Sequence, residues 1–140
     1  MTVATREKVK KEGGAVAILD PVVFWQFGSQ TTPRRVAEAF LEIGFTAVQD
    51  LGEALQIYRS AVSFCLASKE KPIPPIASTC PAVVQLVQVR YPSLIENLVP
   101  IILPYQIMAQ NWKKGGNGDL AKGLYYIVPC LAQAEALQGL

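Results

Sequence analysis

Ala15-Val16-Ala17-Ile18-Leu19 is an unbroken apolar run closed by Asp20-Pro21. A run without polar alternation suits a strand covered on both faces, the situation of a central strand in a parallel sheet. Such a sheet needs long crossovers to return the chain, and the remaining sequence supplies them as helical patterns.

Thr32-Pro33 offers an N-cap followed by a first-turn proline. Val36, Ala39, Phe40 and Ile43 then recur at helical spacing, and Gly44 supplies the stop. Phe45 to Val48 reads as a second strand. A helix follows from Gly52 to Ala67, with Leu51, Leu55, Tyr58, Val62 and Cys65 on its inner face, so Cys65 reads as a core thiol. Ile76 to Ser78 reads as a third strand leading into a helix that starts at Pro81, with Val83, Val84, Leu86 and Val87 available for packing. Tyr91-Pro92 ends that helix and opens a short helical turn, Ser93 to Leu98. Val99 and Leu103 each precede a proline and are expected to be extended. Tyr105, Met108, Ala109 and Trp112 mark a further helix, closed by Lys113-Lys114-Gly115-Gly116. Leu124 to Val128 reads as a fourth strand, and Leu131 to Leu137 as the last helix. The aromatic stretch Val22 to Phe27 follows a strand's carboxyl end, which suits either a site or a plug for the core. Arg6 to Glu12, closed by Gly13-Gly14, reads as a mixed-charge lead-in, either a solvated end or a first helical turn or two. The expectation is a three-layer α/β fold over residues 15–140, with a mainly parallel four-stranded sheet and helices on both faces, behind a polar lead-in of residues 1–14.

Composition narrows the chemistry. The chain is 51% hydrophobic and 17% charged, too apolar for disorder, and 140 residues suit one domain. A net charge of +2 gives no electrostatic reason to expect nucleic acid or a membrane surface as partner. The start, Met1 to Glu12, is polar and charged rather than apolar as a secretory signal is, and the longest apolar run, Leu98 to Met108, is broken by Pro100 and Pro104. A cytoplasmic protein without a membrane span is expected. There is no histidine, which excludes Ser-His-Asp and Cys-His catalysis and histidine-ligated zinc. Three cysteines, an odd number, argue against a disulfide framework.

Two of those cysteines have similar settings. Cys80, in Pro75-Ile76-Ala77-Ser78-Thr79-Cys80-Pro81, follows a short strand pattern and heads a helix; Cys130, in Tyr125-Tyr126-Ile127-Val128-Pro129-Cys130, does the same. Ligands of open α/β sheets collect at the carboxyl ends of the strands. A helix N-terminus there favours a thiolate or an anionic metal–sulfur group. On spacing alone, the pair reads either as one metal centre or as two unrelated semi-buried thiols, and neither a CxxC pair nor a histidine decides between them.

Three blocks together add a resemblance: Ser78-Thr79-Cys80-Pro81-Ala82-Val83, then Arg90-Tyr91-Pro92-Ser93-Leu94-Ile95-Glu96-Asn97-Leu98 with Pro104-Tyr105-Gln106-Ile107-Met108, then Val128-Pro129-Cys130-Leu131-Ala132-Gln133-Ala134-Glu135-Ala136. In order and spacing they resemble the catalytic domain of iron-only (di-iron) hydrogenases and, equally, the hydrogen-inactive nuclear prelamin A recognition factor-like proteins. The family signatures are Thr-Ser-Cys-Cys-Pro-x-Trp and Met-Pro-Cys-x-x-Lys-x-x-Glu. The resemblance implies that Cys80 and Cys130 are two of the four thiolate ligands of a 4Fe–4S cubane. It also marks departures. Thr79 stands where the family has a proton-relay cysteine, Gln133 where a lysine holds a cyanide ligand of the di-iron unit, Ala136 where a glutamate stands, and Val83 where a tryptophan stands. A third signature, Glu-x-Met-x-Cys-x-x-Gly-Cys, which brings the other two cysteines, is missing.

The implied function is an iron–sulfur, hydrogenase-like lobe of a redox-sensing or electron-transfer protein, not competent in dihydrogen chemistry alone and not an enzyme by itself. The expected partner is a missing second lobe of a longer protein or a second chain, with a redox protein as a further partner. The alternative is a cluster-free interaction or sensor module that keeps only the scaffold.

Overall fold

The computed structural model describes residues 6–68, 72–114 and 123–138. Helices α1 (Arg6–Glu12), α2 (Pro21–Trp25), α3 (Pro33–Ile43), α4 (Gly52–Ala67), α5 (Pro81–Arg90), α6 (Pro104–Lys114) and α7 (Leu131–Leu137) alternate with strands β1 (Ala15–Leu19), β2 (Ala47–Asp50) and β3 (Gly123–Ile127). A 3-10 turn, Pro92–Asn97, lies between α5 and α6.

The sheet is parallel, in the order β2-β1-β3, so the apolar run occupies its centre. Val16 pairs with Ala47 on one side and Leu124 on the other, and Leu19 pairs with Asp50 and Ile127. All five residues of β1 are buried, as a strand between two helical layers requires. Ala15, Ala17 and Leu19 face a cluster with Val9, Val36, Phe40, Ile43 and Phe45. Val16 and Ile18 face the opposite layer, with Leu51, Leu55, Tyr105, Met108, Trp112 and Leu137. Helices therefore cover both faces.

Among the described residues the sheet has three strands rather than the expected four. Ile76 makes one isolated parallel bridge to Leu98, in which its N–H donates to the Asn97 carbonyl at 2.8 Å and its own carbonyl accepts from Val99 N–H at 2.9 Å. Pro74, Pro75 and Pro100 surround this bridge, and proline has no N–H with which to extend a ladder. The segment is extended and lies away from the main sheet's pairing. The second strand also starts later than its apolar pattern suggests: Phe45 is a buried residue of the preceding turn, with ring centroids 5.9 Å from Phe40 and 5.7 Å from Tyr125.

The solvated reading of Arg6–Glu12 is a second correction, while its helical reading holds. Arg6–Glu12 is helical and its single apolar residue, Val9, is only 1% exposed. Gly44, the C-cap of α3, explains the fit. Its φ of 126° disfavours any side chain, and a Cβ there would lie 2.8 Å from Lys10 Cγ, so the glycine both ends α3 and admits α1. At the other end of α3, Thr32 Oγ1 accepts from Arg35 N–H at 3.3 Å, the expected N-cap. Val36, Phe40 and Ile43 face the core while Ala39 is exposed. The aromatic stretch after β1 opens as the short helix α2, whose N-cap Asp20 accepts from Val22 N–H at 2.9 Å. Gly115 and Gly116 lie outside the described residues. Among the described residues no helix is long and apolar enough to cross a membrane.

Candidate functional site

Cys80 is the N-cap of α5 and Cys130 the N-cap of α7, both in extended conformation (φ −102°, ψ 109° and φ −141°, ψ 157°). Their carbonyls accept the first helical bonds, from Val84 N–H at 3.1 Å and Ala134 N–H at 3.2 Å. Neither side chain caps its own helix. Both sulfurs are exposed, free thiols, and α5 packs against α7, so the two helices that carry them are neighbours. Cys130 stands three residues beyond the end of β3, at the carboxyl edge of the sheet. Cys65, on α4, is only half-buried, short of the core position expected of it; the buried residues of that helix are Ala54 and Tyr58.

The segment that delivers Cys80 is held by side chains. Ser78 Oγ donates to the Val99 carbonyl at 2.6 Å, and Asn97 Nδ2 donates to the Pro74 carbonyl at 2.8 Å. Asn97 is 6% exposed, a buried polar residue whose amide satisfies a carbonyl that no sheet ladder reaches. The sequence hinted at Asn97 only as a polar residue between Ile95 and Val99; its partner is 23 residues away. These bonds fix the approach to Cys80 where proline prevents strand pairing.

Around Cys130 the anchor is Gln133. Its Oε1 accepts from Cys130 Sγ–H at 3.7 Å and its Nε2 donates to Asp20 Oδ2 at 3.3 Å. The residue in the lysine position of the signature thus bridges the end of β1 and the head of α7. Tyr105, in the first turn of α6, has its phenol pushed above its ordinary value, first by burial and second by the negative charge of Cys80. Tyr105 packs in the helix layer on the Val16–Ile18 face of the sheet. Tyr126, on β3, donates its hydroxyl to the Tyr105 carbonyl at 3.1 Å. A cleft of about 660 Å³ opens beside α5, lined by Pro81, Val84, Val99, Ile101, Leu103 and Ala136 among others, and nearly all its walls are apolar.

Exposed thiols suit soft metal ions and iron–sulfur groups. Two thiolates are half of what a cubane takes. Among the described residues no group of three or more Cys, Asp or Glu side chains converges on a metal position. The donors among the described residues therefore do not close a cubane by themselves. Thr79 precedes Cys80 half-buried, and Val83 is 39% exposed, so the position of the family's tryptophan faces solvent.

A family model, that of the C-terminal domain of the iron only hydrogenase large subunit, matches residues 14–138, from the start of β1 to the end of α7. No curated protein matches the chain. The family match covers most of the chain and includes both cysteine-bearing helix heads, and on it the chain belongs to the family of C-terminal domains of iron-only hydrogenase large subunits.

Proposed function

We propose that this domain contributes the Cys80 and Cys130 thiolates to a 4Fe–4S cluster whose remaining ligands come from another polypeptide segment, in a protein of electron transfer or redox sensing. The observation that carries this reading is the pair of exposed N-cap cysteines, neither capping its helix's backbone with its side chain, on two helices that pack together. Such a cluster, when bound, supplies one-electron exchange. The chain's own residues do the holding. Asn97 and Ser78 fix the approach to Cys80, and Gln133 orients Cys130.

Dihydrogen chemistry is not part of the proposal. Thr79 is a far weaker acid than a thiol, and Gln133 offers no positive charge for an anionic ligand. Anaerobic reconstitution of the full chain with ferrous iron and sulfide, read by iron and sulfide analysis and by electron paramagnetic resonance, tests the assignment. Iron retained undiminished by the Cys80→Ser, Cys130→Ser double variant would count against it.

The alternative, a cluster-free interaction module, draws on a different observation: Trp25 is 84% and Phe27 53% exposed on the aromatic stretch after β1. It requires that the double cysteine variant keep every binding property of the parent chain.

A further inference from the structure

The bonds around Gln133 fix the direction of its amide. Asp20 is held at three points. Its N–H donates to the Ile127 carbonyl at the end of β3 at 3.0 Å, its Oδ1 accepts from Val22 N–H at 2.9 Å, and its Oδ2 accepts from Gln133 Nε2 at 3.3 Å. An ionised carboxylate only accepts, so it is met by the NH2 end of an amide. With that end committed, the carbonyl end is left for Cys130, and Oε1 stands 3.7 Å from Sγ.

This direction has a chemical consequence. A carbonyl oxygen brings no hydrogen, so the contact attracts only while the sulfur keeps its own and donates. A sulfur bonded to a metal has given that hydrogen up, and its lone pairs then face those of Oε1. Turning the NH2 end to the sulfur swings Oε1 onto Asp20 Oδ2, acceptor against acceptor. Asp20 is tied to β3 and to the head of α2, so it does not step aside. Either way the amide gives up a bond.

We propose that Asp20 is a positioning residue for Cys130: by fixing which end of the Gln133 amide faces the sulfur, it opposes capture of that sulfur by a soft metal ion. This inference rests on the ligand assignment proposed above and adds a residue that regulates its loading. It concerns one sulfur and holds whatever supplies the other ligands.

The test uses methylmercury, a soft cation that takes a single thiolate and needs no second donor. The Hg–S bond forms, the S–H bond breaks, and the proton leaves to the buffer. The full chain carries Cys65→Ser and Cys80→Ser, glutathione competes for the mercury, and intact-protein mass reads how much stays on Cys130. In Asp20→Asn the side-chain oxygen still caps α2, while the new NH2 group donates to Gln133 Oε1 and turns the Gln133 NH2 end to the sulfur. Mercury is expected to bind that variant about threefold to tenfold more tightly than its parent, the worth of one hydrogen bond gained. Gln133→Leu removes the opposing carbonyl without supplying a donor, and its affinity is expected to fall between the two. Adding Asp20→Asn to Gln133→Leu is expected to change nothing further, because Asp20 acts through the amide. A purely structural Asp20 predicts neither that order nor that dependence. Equal affinity in Asp20→Asn and its parent, or the same gain with and without Gln133, would overturn the proposal. Should the serine background fold poorly, peptide mapping of mercury on the chain with all three cysteines reads the same ratios. The ligand assignment is judged separately, by iron retention in the double cysteine variant. If iron depends on the two cysteines but the mercury order fails, the assignment stands and Asp20 has no part in loading. If the mercury order holds but iron does not depend on them, the assignment falls and Asp20 controls a thiol that holds no cluster.

Discussion

Gln133 joins two parts of the chain 113 residues apart, donating its amide to the Asp20 carboxylate at 3.3 Å while accepting from Cys130 Sγ–H at 3.7 Å. Asp20 in turn caps α2 through its other oxygen, at 2.9 Å from Val22 N. One side chain thus sets the position of α7 against the end of β1. Gln133→Leu keeps the bulk and removes both bonds. It is expected to cost about 0.5–1.5 kcal/mol in urea denaturation, because the contact is only partly buried. It should also speed alkylation of Cys130 relative to Cys80, read by peptide mass mapping. Unchanged stability and unchanged labelling would mean that the bridge carries no weight in solution.

The two buried tyrosines of the α4–α6 layer pose the opposite case. Tyr58 and Tyr105 are 6% and 3% exposed, and among the described residues neither hydroxyl has a hydrogen-bond partner. A buried hydroxyl without a partner costs about 1–3 kcal/mol of desolvation. Tyr58→Phe, which sheds the hydroxyl and keeps the ring, is expected to raise the thermal midpoint in calorimetry. A lowered midpoint would reveal a partner for that oxygen, such as an internal water.

These side-chain relationships mark where the sequence stops informing. β1 was legible because an apolar pentamer before Asp-Pro has few alternatives, and α3 because Thr32-Pro33 and Gly44 are local signals acting on their own backbone. The bounds of α4 followed from its apolar spacing rather than from a cap, since Leu51 caps it with no side-chain bond. The strand assigned to Ile76–Ser78 was not, because an apolar triplet among prolines is equally a bridge held by one neighbour, and only the Asn97 and Val99 bonds separate the two. The N-cap placement of Cys80 and Cys130 followed from the prolines and the helical patterns. The Gln133–Asp20 and Asn97–Pro74 bonds did not, since no spacing rule connects residues that meet only after folding.

α1 shows the same limit in a form that can be tested. A charged heptamer with one valine reads as a solvated end, yet Val9 is 1% exposed against β1 and Phe45. Val9→Ala removes two carbons from the core and is expected to cost about 1.5–2.5 kcal/mol, at about 0.8 kcal/mol per carbon plus a share of cavity cost. Replacing the neighbouring exposed Lys11 by alanine should change stability by less than about 0.5 kcal/mol. Chemical denaturation of both variants decides. Equal effects would return the segment to the solvent.

Alkaline stability offers a check on the layer that holds Tyr105 and Tyr126. Burial pushes the Tyr126 phenol from 10.0 up to about 12 in the folded chain. Between those values the unfolded chain has lost the proton and the folded chain keeps it. The unfolded state then binds fewer protons, so stability falls as pH rises from about 10 and goes on falling through about 12. Tyr105 moves in the same direction, from burial first and the Cys80 charge second, and adds to the decline. Tyr126→Phe removes one of these titrations together with the bond to the Tyr105 carbonyl. At neutral pH the variant is expected to be less stable by about 1 kcal/mol for the lost bond. As pH climbs above about 10, only the parent bears the cost of keeping that phenol protonated, so the gap narrows. Urea midpoints for both proteins across the alkaline range measure it, and a gap that stays constant with pH would show that the Tyr126 hydroxyl is not desolvated.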